Sequence, residues 1–257
     1  MRQSIRLAKS DVAVVLGCII FMLANLGAIR GGRERAKRTV CLSNLKQLTA
    51  AWNLFADDNG DNLVNGDPGE YGYPNTGMYA PGGEHYREIP WVLPDWRTGM
   101  TANQKKQAII DGALFAYTKT VRLYRCFTGR TSMNEYRLYT VVDAMNCKGW
   151  GDGAVMLKKR SEIPEPAKRF VFIDDGGTAG ATLGGWTCYV KEDKWWDPPP
   201  IRHNFGTNFS FADGHSEYWK WKDPRTIRVE YPFPPTQPGN VDIRRTQLAA
   251  WGSAAIR

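Results

Sequence analysis

Few side chains in this sequence are equipped for chemistry, and the richest grouping is His203, Asp213 and His215 in the stretch HNFGTNFSFADGH. Two imidazoles and a carboxylate suit Zn²⁺ or another borderline divalent ion. The eleven residues between the two histidines match no established ligand spacing, and Asp213 has a sufficient structural task in an Asp-Gly turn. Two readings therefore stand, a divalent metal site and a structural network in which His203 hydrogen-bonds the hairpin. The acidic run Asp57-Asp58-Asn59-Gly60-Asp61 fails as an EF-hand loop. It puts Asn62 where glycine is required and Pro68 where the bidentate glutamate should stand. It reads instead as a helix stop. Gly176-Gly177, Gly180 and Gly184-Gly185 are not followed by Gly-Lys-Ser/Thr, which excludes a phosphate cradle. Trp195-Trp196, Trp219 and Trp221 could stack on sugar rings, against the alternative of core or subunit contact. With three histidines in all, no Ser/His/Asp or Cys/His nucleophilic set is recognisable, and the chain reads as a non-enzyme.

The five cysteines are too few for a disulfide scaffold, and Cys18 falls inside an apolar run. Cys41, Cys126, Cys147 and Cys188 are the candidates for bridges if the body lies outside the cytoplasm, with buried free thiols as the rival reading. Their spacings fit neither a metal knuckle nor a CxxC redox pair.

These residues need elements to hold them. From Val12 to Ile29 runs VAVVLGCIIFMLANLGAI, eighteen residues that would cover ~27 Å as a helix, enough to cross a bilayer core. After the basic RGGRERAKR, Cys41, Leu45, Leu48, Trp52 and Phe55 recur at alternating steps of four and three, one face of a helix, with Asn44, Lys46, Gln47 and Asn53 opposite. Gly60 supplies the stop. The spacing predicts one long helix from about Asp11 to Asp58. Residues 62–110 read as irregular and turn-rich, and Thr101 to Tyr117 as one short helix capped by Thr101 and presenting Ile109, Ile110, Leu114 and Phe115 inward. Strands are predicted at Val121 to Phe127, Arg169 to Ile173 and Trp186 to Val190. Asn208 to Trp221 predicts a hairpin around a two-residue type I′ turn at Asp213-Gly214. That register puts Phe209 and Phe211 on one face with Ser216 and Tyr218, and Trp219 and Trp221 on the other. Aromatic residues on both faces imply cover on both, by the long helix on one side and a loop or a neighbouring subunit on the other.

A helix that is half anchor and half spine resembles the type IV pilin and type II secretion pseudopilin design. The segment RTVCLSNLKQLTAAWNLFADDNGDNL is similar to the bacterial prepilin-like proteins with the H-X9-DG processing-associated region, and His203 with Asp213-Gly214 completes that motif nine residues on. LYRCF, SEIPEPAKRFVFIDD and SEYWKWKDPRT resemble the connecting segments. The resemblance implies that Asp174-Asp175 lies near His203, which would add Asp174 to the metal candidates His203, Asp213 and His215. It also implies that Asp11 serves assembly, as the carboxylate thought to pair with a neighbouring subunit's N-terminal amine. Aligning Asp11 with that position places Arg6 where the family's processing site carries glycine.

The expected architecture is α+β and type IV pilin-like, a long N-terminal helix packed on an antiparallel sheet with irregular insertions. Its parts are a basic leader-like segment (1–10), the helix (11–58, membrane half 12–29), a body (59–226) and a Pro-rich C-terminal arm (227–257). The resemblance implies an inner-membrane, single-pass protein with an extracytoplasmic body whose partners are other pilin-like subunits. The alternative is a membrane-tethered module that binds carbohydrate or a surface. The net charge of +8 is concentrated in the first forty residues, which favours a membrane boundary, and the nucleic-acid signatures are missing. No cofactor is expected beyond the candidate divalent metal.

Overall fold

Helix α1 (Lys9–Asp58) runs unbroken through Gly31 and Gly32 for 50 residues, about 75 Å at 1.5 Å per residue. The computed structural model describes residues 9–68, 77–97, 99–128, 136–149, 153–174, 184–229 and 234–256, and within α1 it leaves out the side chains of Lys9, Asp11 and residues 23–30. The expected stripe is present: Cys41, Leu45, Leu48 and Trp52 are fully buried and Phe55 packs at the edge of the same cluster. It is broader than the periodicity predicts. Asn44 also turns inward and donates to the Arg125 carbonyl and to Tyr139 Oη, and Asn53 donates to the Ala212 carbonyl. Buried amides are tolerated where their bonds are made. The helix ends at the acidic run, where Gly60 and Asp61 take φ values of 61° and 70°. Asp57 and Asp61 pair with Arg160, and Asp58 accepts from Tyr117 Oη, so these carboxylates serve as ties to the body.

The single helix expected from Thr101 to Tyr117 is instead two, α2 (Ala102–Ile110) and α3 (Phe115–Thr118), broken at Asp111 to Leu114. Thr101 caps α2 reciprocally with Gln104, a capping box. Ile109 and Leu114 are buried as expected, whereas Ile110 is exposed. The strand predicted at Val121 to Phe127 is not formed. Val121–Tyr124 is a 3₁₀ turn that buries Leu123 and Tyr124.

The sheet is antiparallel in the order β1 (Thr140–Val141), β2 (Phe170–Ile173), β3 (Gly206–Phe211), β4 (Ser216–Lys220). A bulge between Phe170 and Phe172 breaks the alternation and turns two consecutive residues, Val171 and Phe172, to one core, while Phe170 and Ile173 join the other. The stretch predicted as a strand at Trp186 to Val190 makes one bridge, Trp186 with Val142, because the Thr187 backbone is engaged by Asp197 instead. The mixed helix and antiparallel sheet, α+β, is thus the observed class.

The hairpin register differs from the expected one. Ser210 pairs with Ser216 and Phe209 with Glu217, so Ala212, Asp213 and Gly214 form a three-residue loop. Gly214 alone takes a positive φ, 96°. A one-residue change of register turns every side chain of β4 to the other face. Phe209 and Phe211 therefore share a face with Glu217 and Trp219, and ring centroids of Phe209 and Trp219 lie 5.2 Å apart. The opposite face meets α1 through hydroxyls: Thr49 Oγ1 donates to Ser210 Oγ at 2.6 Å and Ser216 Oγ donates to the Leu42 carbonyl.

The aromatic face is covered by α4 (Val241–Trp251), capped by Asn240, whose side chain accepts from the Asp242 and Ile243 amides. Ile243, Ala250 and Trp251 are buried in the core that also holds Trp186, Trp195 and Trp221. Three hydrogen bonds tie α4 to the segments that flank the sheet strands. Asp242 accepts from the Lys222 and Asp223 amides, and the Arg169 guanidinium donates to the Ala250 carbonyl at the C-terminal end, where a cation suits the helix dipole.

Candidate functional site

Four side chains from four separate segments converge where α1 leaves the body. Cys41 comes from α1, at the first fully buried position of its stripe. Cys126 follows the 3₁₀ turn at Val121–Tyr124. Asp174 follows the last residue of β2, and His203 precedes β3. The donor atoms of all four lie within 4.8 Å of one another, and all four residues are buried. Cys41 Sγ and Cys126 Sγ are 3.2 Å apart, Cys126 Sγ and His203 Nε2 3.5 Å, and His203 Nε2 and Asp174 Oδ2 2.9 Å.

The surroundings hold these groups in place. His203, Asn204 and Phe205 take φ values of 44°, 68° and 65° in a loop closed by Arg202 and Gly206. Left-handed backbone is unfavourable for bulky residues, so this loop is strained. At the far side of the His203 ring, Nδ1 lies 3.1 Å from Glu34 Oε1, two turns before Cys41 on α1. Thr128 places its backbone N–H 3.4 Å and its hydroxyl 3.0 Å from Cys126 Sγ. Asp174 is tied by its own backbone, whose N–H donates to the Asn208 carbonyl and whose carbonyl accepts from Thr207 Oγ1. Its Oδ1 is buried with no hydrogen-bond partner among the described residues.

Electrostatically the cluster is one coupled unit. Burial lowers the pKa of His203, but Asp174 and then Cys126 outweigh it and hold the ring up at about 10. The hydrogen bond between the two thiols lowers the pKa of Cys41 and raises that of Cys126. Two sulfurs, an imidazole nitrogen and a carboxylate oxygen at these separations are a donor set for a borderline divalent ion.

The chain matches no family model, no curated protein and no solved structure.

Of the metal candidates read from the sequence, the structure brings together His203 and Asp174 alone. Asp213 and His215 sit at the hairpin tip, beyond the six residues of β3, on the order of 15–20 Å away at ~3.3 Å per residue. They pair with each other at 2.6 Å, and the His215 ring stacks on Phe211. The network expected between His203 and the hairpin turn is likewise replaced by one between His203, the end of β2 and α1. Asp175 lies outside the described residues, as does the side chain of Asp11. All five cysteines are free thiols. Of the four bridge candidates, Cys41 and Cys126 face each other beyond the ~2.05 Å of a disulfide, while Cys147 and Cys188 are buried in different cores.

The tryptophans named for sugar stacking divide. Trp195 and Trp221 are buried, and Trp219 is half-buried under the Arg245 guanidinium, 4.4 Å from the ring centroid. Trp219 borders a cleft of about 560 Å³ between residues 164–169 and α4. Cys41 was visible in the sequence as a core position and Cys126 as part of LYRCF. Neither carries a local ligand spacing, and their separation of 85 residues hides the pairing.

Proposed function

We propose that this chain is a pilin-like structural subunit, with α1 as both the spine of the body and the surface through which it joins lipid and neighbouring copies. One observation carries the reading. While Cys41, Leu45, Leu48 and Trp52 are fully buried, Val12, Val14, Val15, Leu16, Ile19 and Ile20 on the same helix are 45–66% exposed. At 100° per residue those six positions surround the axis, so no single packed face could cover them. Exposed apolar surface of that extent marks an interaction site. A bilayer or a bundle of like helices offers apolar contact from every direction.

No helix of the described residues is long and apolar enough to cross a membrane. The stretch read as the membrane half continues into residues 23–29, whose side chains lie outside the described ones. The inner-membrane location, the extracytoplasmic body and the other pilin-like partners are parts of the same proposal, and they rest on the resemblance of the long helix and the H-X9-DG motif.

Cys18 gives the test, because it is exposed within the apolar half. In membranes from cells expressing the full chain, a thiol crosslinker should produce dimers through Cys18 that vanish in Cys18→Ser. Asp11→Ala should reduce higher-order species while leaving the body folded. Recovery of the chain in the soluble fraction, or membrane-bound chain that never crosslinks, would defeat the assembly role. The latter outcome, with retention on a carbohydrate resin, would support the tethered module.

A further inference from the structure

The structure assigns a closed, tetrahedral metal site, of the kind that takes Zn²⁺, to Cys41, Cys126, Asp174 and His203. The inference stands on its own, independent of the assembly role. Zinc at ~2.3 Å from sulfur and ~2.0–2.1 Å from nitrogen or oxygen requires tetrahedral edges of about 3.8 Å (S to S), 3.6 Å (S to N) and 3.4 Å (N to O). The corresponding separations are 3.2, 3.5 and 2.9 Å, so on these three edges an outward shift of about 0.6 Å or less would accommodate the ion, and the remaining three edges lie within 4.8 Å.

Three further features fit a cation better than a disulfide or a hydrogen-bond network. A disulfide would use the two sulfurs and leave Asp174 partnered by His203 on Oδ2 alone, whereas a cation also answers the buried Oδ1, which has no partner among the described residues. The Glu34 carboxylate on Nδ1 would keep the proton on that nitrogen once Nε2 gives its own up, leaving Nε2 as the lone pair facing the sulfurs, the arrangement by which carboxylates orient metal-bound histidines. The Thr128 amide and hydroxyl beside Cys126 Sγ are donors suited to a thiolate. On binding, the two thiols and His203 Nε2 would release their protons to solvent, so that two thiolates, a neutral imidazole and the Asp174 carboxylate become the ligands. Four protein donors leave no position for substrate, so the site is structural.

Its place in the fold gives it a task. Cys41 is where α1 passes from exposed to buried, and the ion would join that point to the ends of β2 and the start of β3. The direction in which the exposed half of α1 departs would then be set by coordination as well as by packing.

The test is elemental analysis of the full-length chain, purified in detergent with reductant and dialysed against zinc and then against metal-free buffer. About one zinc per chain should remain, and cobalt exchanged for it should show thiolate-to-cobalt charge transfer with the visible bands of a tetrahedral ion. Glu34→Gln, which removes no ligand, should keep the near-ultraviolet circular dichroism of the parent and bind the metal about 10–100-fold more weakly. Cys147→Ser should bind as the parent does. Folded parent without retained zinc or the cobalt spectrum would overturn the assignment, as would a Cys41–Cys126 disulfide in peptide maps of non-reduced protein. Glu34→Gln with the parent's affinity would overturn the orienting role of Glu34.

Discussion

Asp197 gives the most direct test of how the segment after Trp186 packs against the sheet. It is 8% exposed, and its Oδ2 accepts from the Thr187 amide at 2.7 Å. Burial is the largest influence on its carboxyl and raises the pKa, the Thr187 bond opposes it, and Asp143 adds to it, for a result of about 7 against an ordinary 3.8. The folded state therefore holds the proton more tightly than the unfolded chain does. Stability is lost as pH rises from about 4 to about 7 and is level above that. At 1.36 kcal/mol per unit, the full effect is at most about 4 kcal/mol, of which about 2.5 kcal/mol falls between about pH 5 and about pH 8. Asp197→Asn removes the titration and keeps an oxygen for the Thr187 amide. In urea denaturation of parent and variant, groups such as His203 titrate in both and cancel in the difference. The variant's stability relative to the parent should rise by about 2.5 kcal/mol between about pH 5 and about pH 8. Parallel curves would show that this carboxylate is solvated in the folded protein and that the segment is not packed as described.

Four substitutions probe other joints of the fold. Gly214→Val at φ 96° should cost about 1–3 kcal/mol in the urea midpoint, and Asp213→Ala should cost less, since a positive φ is needed at Gly214 alone; equal costs would favour the two-residue turn. A Cβ at Gly206 would meet the Trp219 carbonyl oxygen and the Tyr218 ring, so Gly206→Ala should destabilise by about 1–3 kcal/mol and lower the protection of the hairpin amides in hydrogen exchange. Trp52→Ala, at a fully buried position, should cost about 3–5 kcal/mol, with loss of the thermal transition at growth temperature as the readout.

The parts of this fold that were legible in the sequence are those specified by neighbours in the chain. The stripe from Cys41 to Phe55, the Thr101 capping box and the strand around Phe170–Ile173 each follow from spacings of a few residues. The hairpin was legible as a hairpin but not in register, because Asp-Gly serves a two-residue turn and the end of a three-residue loop equally well. What decides the register is remote: Phe209, Phe211 and Trp219 must share the face that α4 covers, and the hydroxyls of Ser210 and Ser216 must meet α1. Alternating residues from Val121 to Phe127 suggested a strand, yet among the described residues they join no strand of the sheet, and Val121–Tyr124 closes on itself as a 3₁₀ turn.

The candidate site was the least legible part for the same reason, carried further. Its members are separated along the chain by 85 residues between Cys41 and Cys126 and 29 between Asp174 and His203. Compact ligand spacings arise when one turn or one helix supplies several donors, and here every donor comes from a different element. Such a site cannot form before the sheet and α1 have docked. Any stabilisation it gives is therefore given to the assembled tertiary structure, in contrast to a metal knuckle that orders its own loop. Seen from the helix, Glu34 would orient one ligand of the proposed site and Cys41 would supply another, and the buried stripe begins at Cys41. The half of α1 that the body needs and the half it leaves exposed are thus divided at the cluster. An apolar helix projecting from a small body exerts leverage on its base, and a joint with bonds to both β2 and the β3 loop resists bending in more than one direction. If the chain presents its helix to neighbouring copies as proposed, that resistance would keep the body's orientation the same in every copy.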